Sequence, residues 1–143
     1  KAKSISKTKK YFDDYVIGCD TLIYLDNKIF DKAKNLKEAK KKIKKLSGKS
    51  HHIYSSASVF YNNKEVWSGT QKTKVKIRKL SNHEIDYYLL KTKRKIIYSV
   101  GCYEIESLGP NIIEEIKGDF FNVMGFPLFP FLSFLKKYSI KTK

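Results

Sequence analysis

Residues 65–79, EVWSGTQKTKVKIRK, alternate with a period of two. Trp67, Gln71, Thr73, Val75 and Ile77 point one way; Lys72, Lys74, Lys76 and Arg78 point the other. Successive side chains of a strand project to opposite faces. The segment therefore reads as a half-exposed antiparallel strand, with one face on a core and the other in water. That strand commits the chain to a sheet with an apolar side that must be covered.

The rest of the pattern supplies the partners. Residues 15–19, YVIGC, form a continuous apolar run and read as a buried strand. Asp26-Asn27 is a turn signal between Leu25 and Ile29, so residues 21–30 read as a hairpin. HHIYSSASVFY (51–61) is rich in strand formers, and Asn62-Asn63 marks the next turn. Residues 112–116 read as a short strand. Asn35 with Glu38 three residues on opens a helix whose apolar stripe is Leu36, Ala39, Ile43 and Leu46, with Gly48 as terminator. Ser81 and Glu84 repeat the capping pattern and open a helix through about Lys93. Residues 1–10 read as the end of a basic helical segment, and a last helix runs from near Pro127 to about Tyr138. The fold class is α/β: one domain over residues 1–143, a mixed twisted sheet with flanking helices.

At 143 residues and 41% hydrophobic, the chain can bury a real core, which argues against disorder. Its net charge of +16 is far from ordinary. Of the 30 basic residues only Arg78 and Arg94 are arginine. Proteins that read nucleic acid lean on arginine for bidentate contacts. The lysine excess reads as a bias spread over the surface, with nucleic-acid binding as the less favoured alternative; either way polyanions are attracted. Cys19 and Cys102 form no CxxC pair, so neither a zinc site nor a disulfide framework is indicated. Buried free thiols, with no apolar signal region at the start, suit a cytoplasmic protein. The most apolar stretch, FFNVMGFPLFPFLSFL (120–135), is broken by Asn122, Pro127 and Pro130. It is too short to span a bilayer and reads as a buried turn leading into a core helix.

No Walker-type glycine loop, GxSxG or HExxH is present. The polar constellation that remains is Asp20, Thr21, Lys32, His51, Glu104, Glu106 and Asp119. Asp20 is the oddest, because it sits between two runs that want burial, and a carboxylate is costly to bury unpartnered. Each residue also has an ordinary reading: Asp20 as a turn former, Lys32 as one lysine among many, His51 as a hydrogen-bonded strand residue, Glu106 as a loop residue. From the residues alone, the reading stops at a soluble α/β domain.

Four blocks carry a resemblance along nearly the whole chain: VIGCDTLIYLDNKIFDKAKNLKEA (16–39), LSGKSHHIYSSASV (46–59), SVGCYEIESLG (99–109) and IKGDFFNVMGFPL (116–128). In order and spacing they resemble the Maf family, nucleoside triphosphate pyrophosphatases related in fold to the Ham1/ITPase group. The resemblance implies cleavage between the α and β phosphates with a divalent metal, Mg or Mn. It makes Asp20 the proton acceptor or the metal ligand, and Asp20 is read here at the end of a strand. It makes Lys32 a phosphate counter-charge, although Asp31-Lys32-Ala33 stands where the family has Gly-Lys-Pro. Lys1, in Lys1-Ala2, resembles a further phosphate contact. Thr21 and Glu106 match two positions that track base preference. Thr resembles the dTTP/UTP branch and Glu the 7-methyl-GTP branch, so the base stays open. The family's upstream Ser-x-Ser-x-Arg-Arg phosphate loop is not found in residues 1–143. The expectation is an N-terminally truncated form, with little activity alone. A non-enzymatic remnant of the family is the other reading, and a homodimer is the implied assembly.

Overall fold

The structure, a computed structural model, describes residues 1–11 and 13–138. Helix α1 (Ala2–Ser6) and a 3₁₀ turn precede the hairpin β1 (Val16–Leu25) and β2 (Lys28–Phe30). Helix α2 (Leu36–Leu46), strands β3 (Ser50–Tyr61) and β4 (Lys64–Ile77), and helix α3 (Asn82–Thr92) follow. A long loop with 3₁₀ turns leads to β5 (Ile113–Lys117), α4 (Phe120–Met124) and α5 (Leu128–Lys137). The sheet order is β2-β1-β3-β4-β5. Every pairing in it is antiparallel.

The two tight hairpins form where the sequence places them. Asp26-Asn27 and Asn62-Asn63 all take positive φ, between 47° and 63°. A two-residue hairpin loop needs that conformation at both positions, and Asn and Asp tolerate it. Both caps also form. Asn35 accepts the Glu38 N–H at 2.9 Å, while the Glu38 carboxylate accepts the N–H of Lys34, one residue earlier than in a reciprocal box. Ser81 and Glu84 make the complete reciprocal pair.

The alternation of β4 is realised as read: Thr73, Val75 and Ile77 are buried, and Lys72 and Lys74 are exposed. Ile23, Ile53, Val75 and Ile77 meet Ala39, Ile43 and Leu46 of α2 and Ile85 and Leu89 of α3 in one core. Each of the Ile, Val and Leu side chains stabilises the fold by roughly 1.5–3 kcal/mol.

Two expectations need correction. Residues 15–19 are not a buried strand: Tyr15 and Ile17 are exposed. β1 pairs with β2 only through Ile23–Leu25, so among the described residues its first seven residues have β3 on one side alone. Residues 120–135 form two helices rather than a buried turn and a core helix. Phe120, Phe121, Met124, Phe129 and Leu132 all show substantial exposure, because α4 and α5 rest on the sheet by one side only.

His51 joins the core. It is 1% exposed, and its Nε2 lies 2.6 Å from the Tyr103 hydroxyl. Burial, aided by the charge of His52, pulls its pKa down to about 4. The unfolded chain takes up a proton near the ordinary value of 6.5, and the folded one does not until about 4. Stability from this neutral imidazole is thus fully present above pH 6.5 and is lost as pH falls toward 4. Urea midpoints should drop over that window by the equivalent of about 3 kcal/mol, and His51→Gln should flatten the drop. An unchanged slope in the variant would show that His51 does not carry it.

Candidate functional site

Asp20 is the fifth residue of β1, opposite Ser56, and not at a strand end as the sequence suggested. The puzzle of a carboxylate between apolar runs is resolved by the period of two. Even-numbered residues of β1 face away from the core, and the Asp20 side chain is 79% exposed. At that exposure the desolvation penalty is small.

On that outer face a cavity of about 430 Å³ opens. Its floor is Gly18 and Asp20 of β1, Ser56 and Ser58 of β3, and Ser68 and Thr70 of β4, and Lys1 stands at its rim. Lys1 Nζ lies 3.3 Å from Asp20 Oδ1, which also accepts the Thr21 N–H at 3.1 Å. The bonded Lys1 ammonium, its charge and the Thr21 N–H hold the Asp20 carboxyl below the usual carboxylate range. The charge of Lys32 acts in the same direction as the smallest contribution. Lys32 is exposed and follows β2. At such exposure the Lys1–Asp20 pair shapes the local field more than it stabilises the fold.

What sets Lys1 there is Gly18. A Cβ at Gly18 would lie 2.8 Å from the Ala2 Cβ and 2.9 Å from its backbone nitrogen. α1 therefore packs directly on the bare backbone of β1.

Thr21 projects to the opposite face, into a second cavity of about 250 Å³ that Glu106, Tyr103, Gly101 and Gly125 also line. The two residues singled out for base preference are thus brought together. Thr21 Oγ1 lies 3.0 Å from Ser55 Oγ and 3.2 Å from the Gly125 carbonyl. Ser55 spends its own proton on the Asn122 carbonyl at 2.8 Å. The single Thr21 proton is therefore held by Gly125 or Ser55, and toward the cavity this oxygen can only accept. Glu106 is exposed and, among the described residues, makes no ion pair. Two acceptors face one small cavity.

Several determinants escaped the sequence reading. Asn122 is fully buried. Its amide donates to the Ile53 carbonyl and Thr73 Oγ1, and its Oδ1 accepts the Ser55 N–H. It ties α4 to β3 and β4. Gly125 ends α4 in the left-handed region, at φ 110°. Its carbonyl there accepts from both Thr21 and the Cys19 thiol. The only sequence signal was an asparagine inside an apolar run. Asp119 is the N-cap of α4, and Glu104 pairs with Lys95, so neither joins Asp20. His51 is a core residue. The thiols are free: Cys102 is buried as expected, with its pKa pushed up to about 11 by burial, and Cys19 is half-buried.

Among the described residues no three His, Cys, Asp or Glu side chains converge as a metal cage. Among the described residues Asp20 is the one carboxylate that lines the outer cavity. Mg²⁺ is usually held by one or two carboxylates together with substrate phosphates. The donor set therefore fits a cation shared with a bound phosphate. Among the described residues no helix is long and apolar enough to cross a membrane.

The model of the Maf-like protein family matches residues 1–138. A 7-methyl-GTP pyrophosphatase of Bartonella henselae is 36% identical over 140 residues, covering 98% of this chain and 70% of its own length. A nucleoside triphosphate pyrophosphatase of Caulobacter vibrioides is 33% identical over 127 residues, or 89% of this chain and 64% of that protein. A dTTP/UTP pyrophosphatase of Thermotoga maritima is 41% identical over 129 residues, or 90% of this chain and 61% of that protein.

The Asp20 titration tests the pairing directly. In carboxyl-detected NMR, Lys1→Gln should move the Asp20 midpoint to higher pH. Gly18→Ala should do the same with Lys1 intact, by lifting α1 off β1. An Asp20 midpoint that stays put in Lys1→Gln would refute the pairing.

Proposed function

Because this chain belongs to the Maf-like protein family, we propose that it hydrolyses a nucleoside triphosphate between the α and β phosphates, giving a nucleoside monophosphate and pyrophosphate. The observation that carries the reading is the back-to-back placement of Asp20 and Thr21 on β1. Asp20 with Lys1 faces the outer cavity, and Thr21 with Glu106 faces the inner one. A nucleotide lying across the β1 edge would set its triphosphate beside Asp20 and its base beside Glu106.

In the reaction a water oxygen bonds to the α phosphorus, the bond from that phosphorus to the bridging oxygen breaks, and pyrophosphate departs. The ionised Asp20 carboxylate takes the water's proton, as a positioned base can. Where Asp20 instead holds a divalent cation, Mg²⁺ or Mn²⁺, together with the phosphates, that cation would supply charge neutralisation and a sharper nucleophile. Lys1 and Lys32 offset the charge that builds on the departing pyrophosphate.

The base follows from the acceptors. Thr21 and Glu106 both accept, so a base edge rich in donors, as guanine has, fits better than one with a single N–H. Relatives of both the 7-methyl-GTP and the dTTP/UTP kinds match this chain. We take the donor-rich edge as the preferred one.

The assay is pyrophosphate release by the protein carrying this chain, over a panel of nucleoside triphosphates with Mg²⁺ or Mn²⁺. Asp20→Asn should lower kcat by about 10²-fold or more. Glu106→Gln should shift relative kcat/KM toward dTTP and UTP, because the amide can donate as well as accept. Orthophosphate as the product, or full activity in Asp20→Asn, would defeat the reading.

A further inference from the structure

The outer face of the sheet continues past the Asp20 cavity. Next to the Asp20–Ser56–Thr70 row lies Leu22–Tyr54–Lys72, and beyond it Tyr24–His52–Lys74–Lys117. Rows on one face are about 6.8 Å apart, two strand residues each. Lysines on a solvent face are ordinary in an antiparallel sheet. Three features here are not.

Aromatic rings interleave with the lysines. Lys72 Nζ sits 5.5 Å from the Tyr54 ring centroid, and the His52 and Tyr54 rings are 6.4 Å apart. Acidic residues are missing from these two rows: Lys72 and Lys74 have no ion pair among the described residues, whereas Lys76 and Lys117 pair with Glu114 and Glu115 at the β5 edge. Lys74 also stands directly opposite Lys117 across the β4–β5 pairing. Like charges directly opposite are destabilising, and an opposite charge would help. Glu115 offsets the charge of Lys117, whereas Lys74 has no such partner among the described residues. Partial burial and the charges of Lys72 and Lys74 lower the His52 pKa.

No helix among the described residues covers these two rows. Leu22, Lys72 and Lys74 are exposed, and Tyr24, His52 and Tyr54 are half-exposed. We infer that this sheet face binds single-stranded nucleic acid, with bases stacked on Tyr54 and His52 and phosphates on Lys72, Lys74 and Lys117. Charge complementarity and stacking are the usual means of holding a single strand without reading its sequence. The inference does not depend on the hydrolytic activity. The pairing across strands joins residues that lie far apart along the chain.

The test is fluorescence anisotropy of the protein with a 5′-labelled eight-nucleotide oligo(U) or oligo(dT), over a salt series. The double variant Lys72→Gln/Lys74→Gln should weaken binding at least tenfold and reduce the log–log salt slope by about 1.4. Tyr54→Leu should weaken it about fivefold or more at unchanged slope. The control removes the same charge from the exposed face of α2, as Lys41→Gln/Lys44→Gln, and should change affinity less than threefold. Equal losses in the two double variants would mean that bulk charge alone binds the strand, and the platform would be refuted. A duplex of the same length binding as tightly as the single strand would refute the stacking. Pyrophosphate release without nucleic acid should be unchanged in Lys72→Gln/Lys74→Gln, which keeps this result separate from the hydrolytic reading.

Discussion

The two-residue period of β1, locked in register against β3, is the constraint on which both cavities depend. Asp20 pairs with Ser56 and Thr21 with Ser55. A slip of one residue would exchange the faces of every side chain on the strand. Asp20 would then enter the inner cavity, and Thr21 would leave it. The slip is opposed at both ends. Ile23 and Leu25 are held in the core, with 2% and 6% exposure, and the tight Asp26-Asn27 hairpin fixes the return of β2. At the other end α1 rests on the bare backbone of Gly18, a contact that any Cβ would obstruct.

Asn122 plays the matching part for the inner cavity. α4 is five residues long, too short to persist by its own hydrogen bonds. A fully buried amide satisfied by Ser55, Ile53 and Thr73 instead fixes its place on the sheet. Leaving those partners unpaired would be costly, so the network specifies one position for the helix. Gly125 follows from that position, and its carbonyl then holds the Thr21 and Cys19 side chains. The acceptor character of Thr21 is set by a residue a hundred positions away.

Much of this was legible in the sequence because it rests on local chemistry. The alternation in 65–79, the Asn and Asp hairpin loops and the Ser81–Glu84 box each state a backbone preference within a few residues. The family resemblance placed Lys1 beside Asp20's role and Thr21 beside Glu106's, and the structure brings each pair to a common cavity. What stayed hidden depends on partners. The exposure of residues 15–19 follows from β1 having β3 alone beside it there, which an apolar run cannot announce. The interior position of Asp20 follows from an outer face open to solvent. The Tyr54–Lys72 and His52–Lys74 juxtapositions are long-range in sequence and arise only from register.

The Lys1–Asp20 pair has a chemical consequence under the proposed reading. While Lys1 bonds to the carboxylate, Asp20 is a weaker base than an ordinary aspartate, since its proton affinity is lowered. A triphosphate in the outer cavity offers Lys1 a partner of higher charge, and oxygen acceptors compete for the same ammonium protons. As Lys1 turns to phosphate, the bond that depresses Asp20 is lost and its pKa rises, while a cation held by Asp20 and the phosphates would lower it. A base gains strength as its pKa climbs toward the working pH. The exposed pair thus holds Asp20 ionised without substrate, and where Asp20 acts as the base rather than as the cation's ligand, the phosphates that draw Lys1 away sharpen it. The arrangement needs Lys1 to be movable, and its 70% exposure, on the first residue before a five-residue helix, leaves the ammonium free to turn.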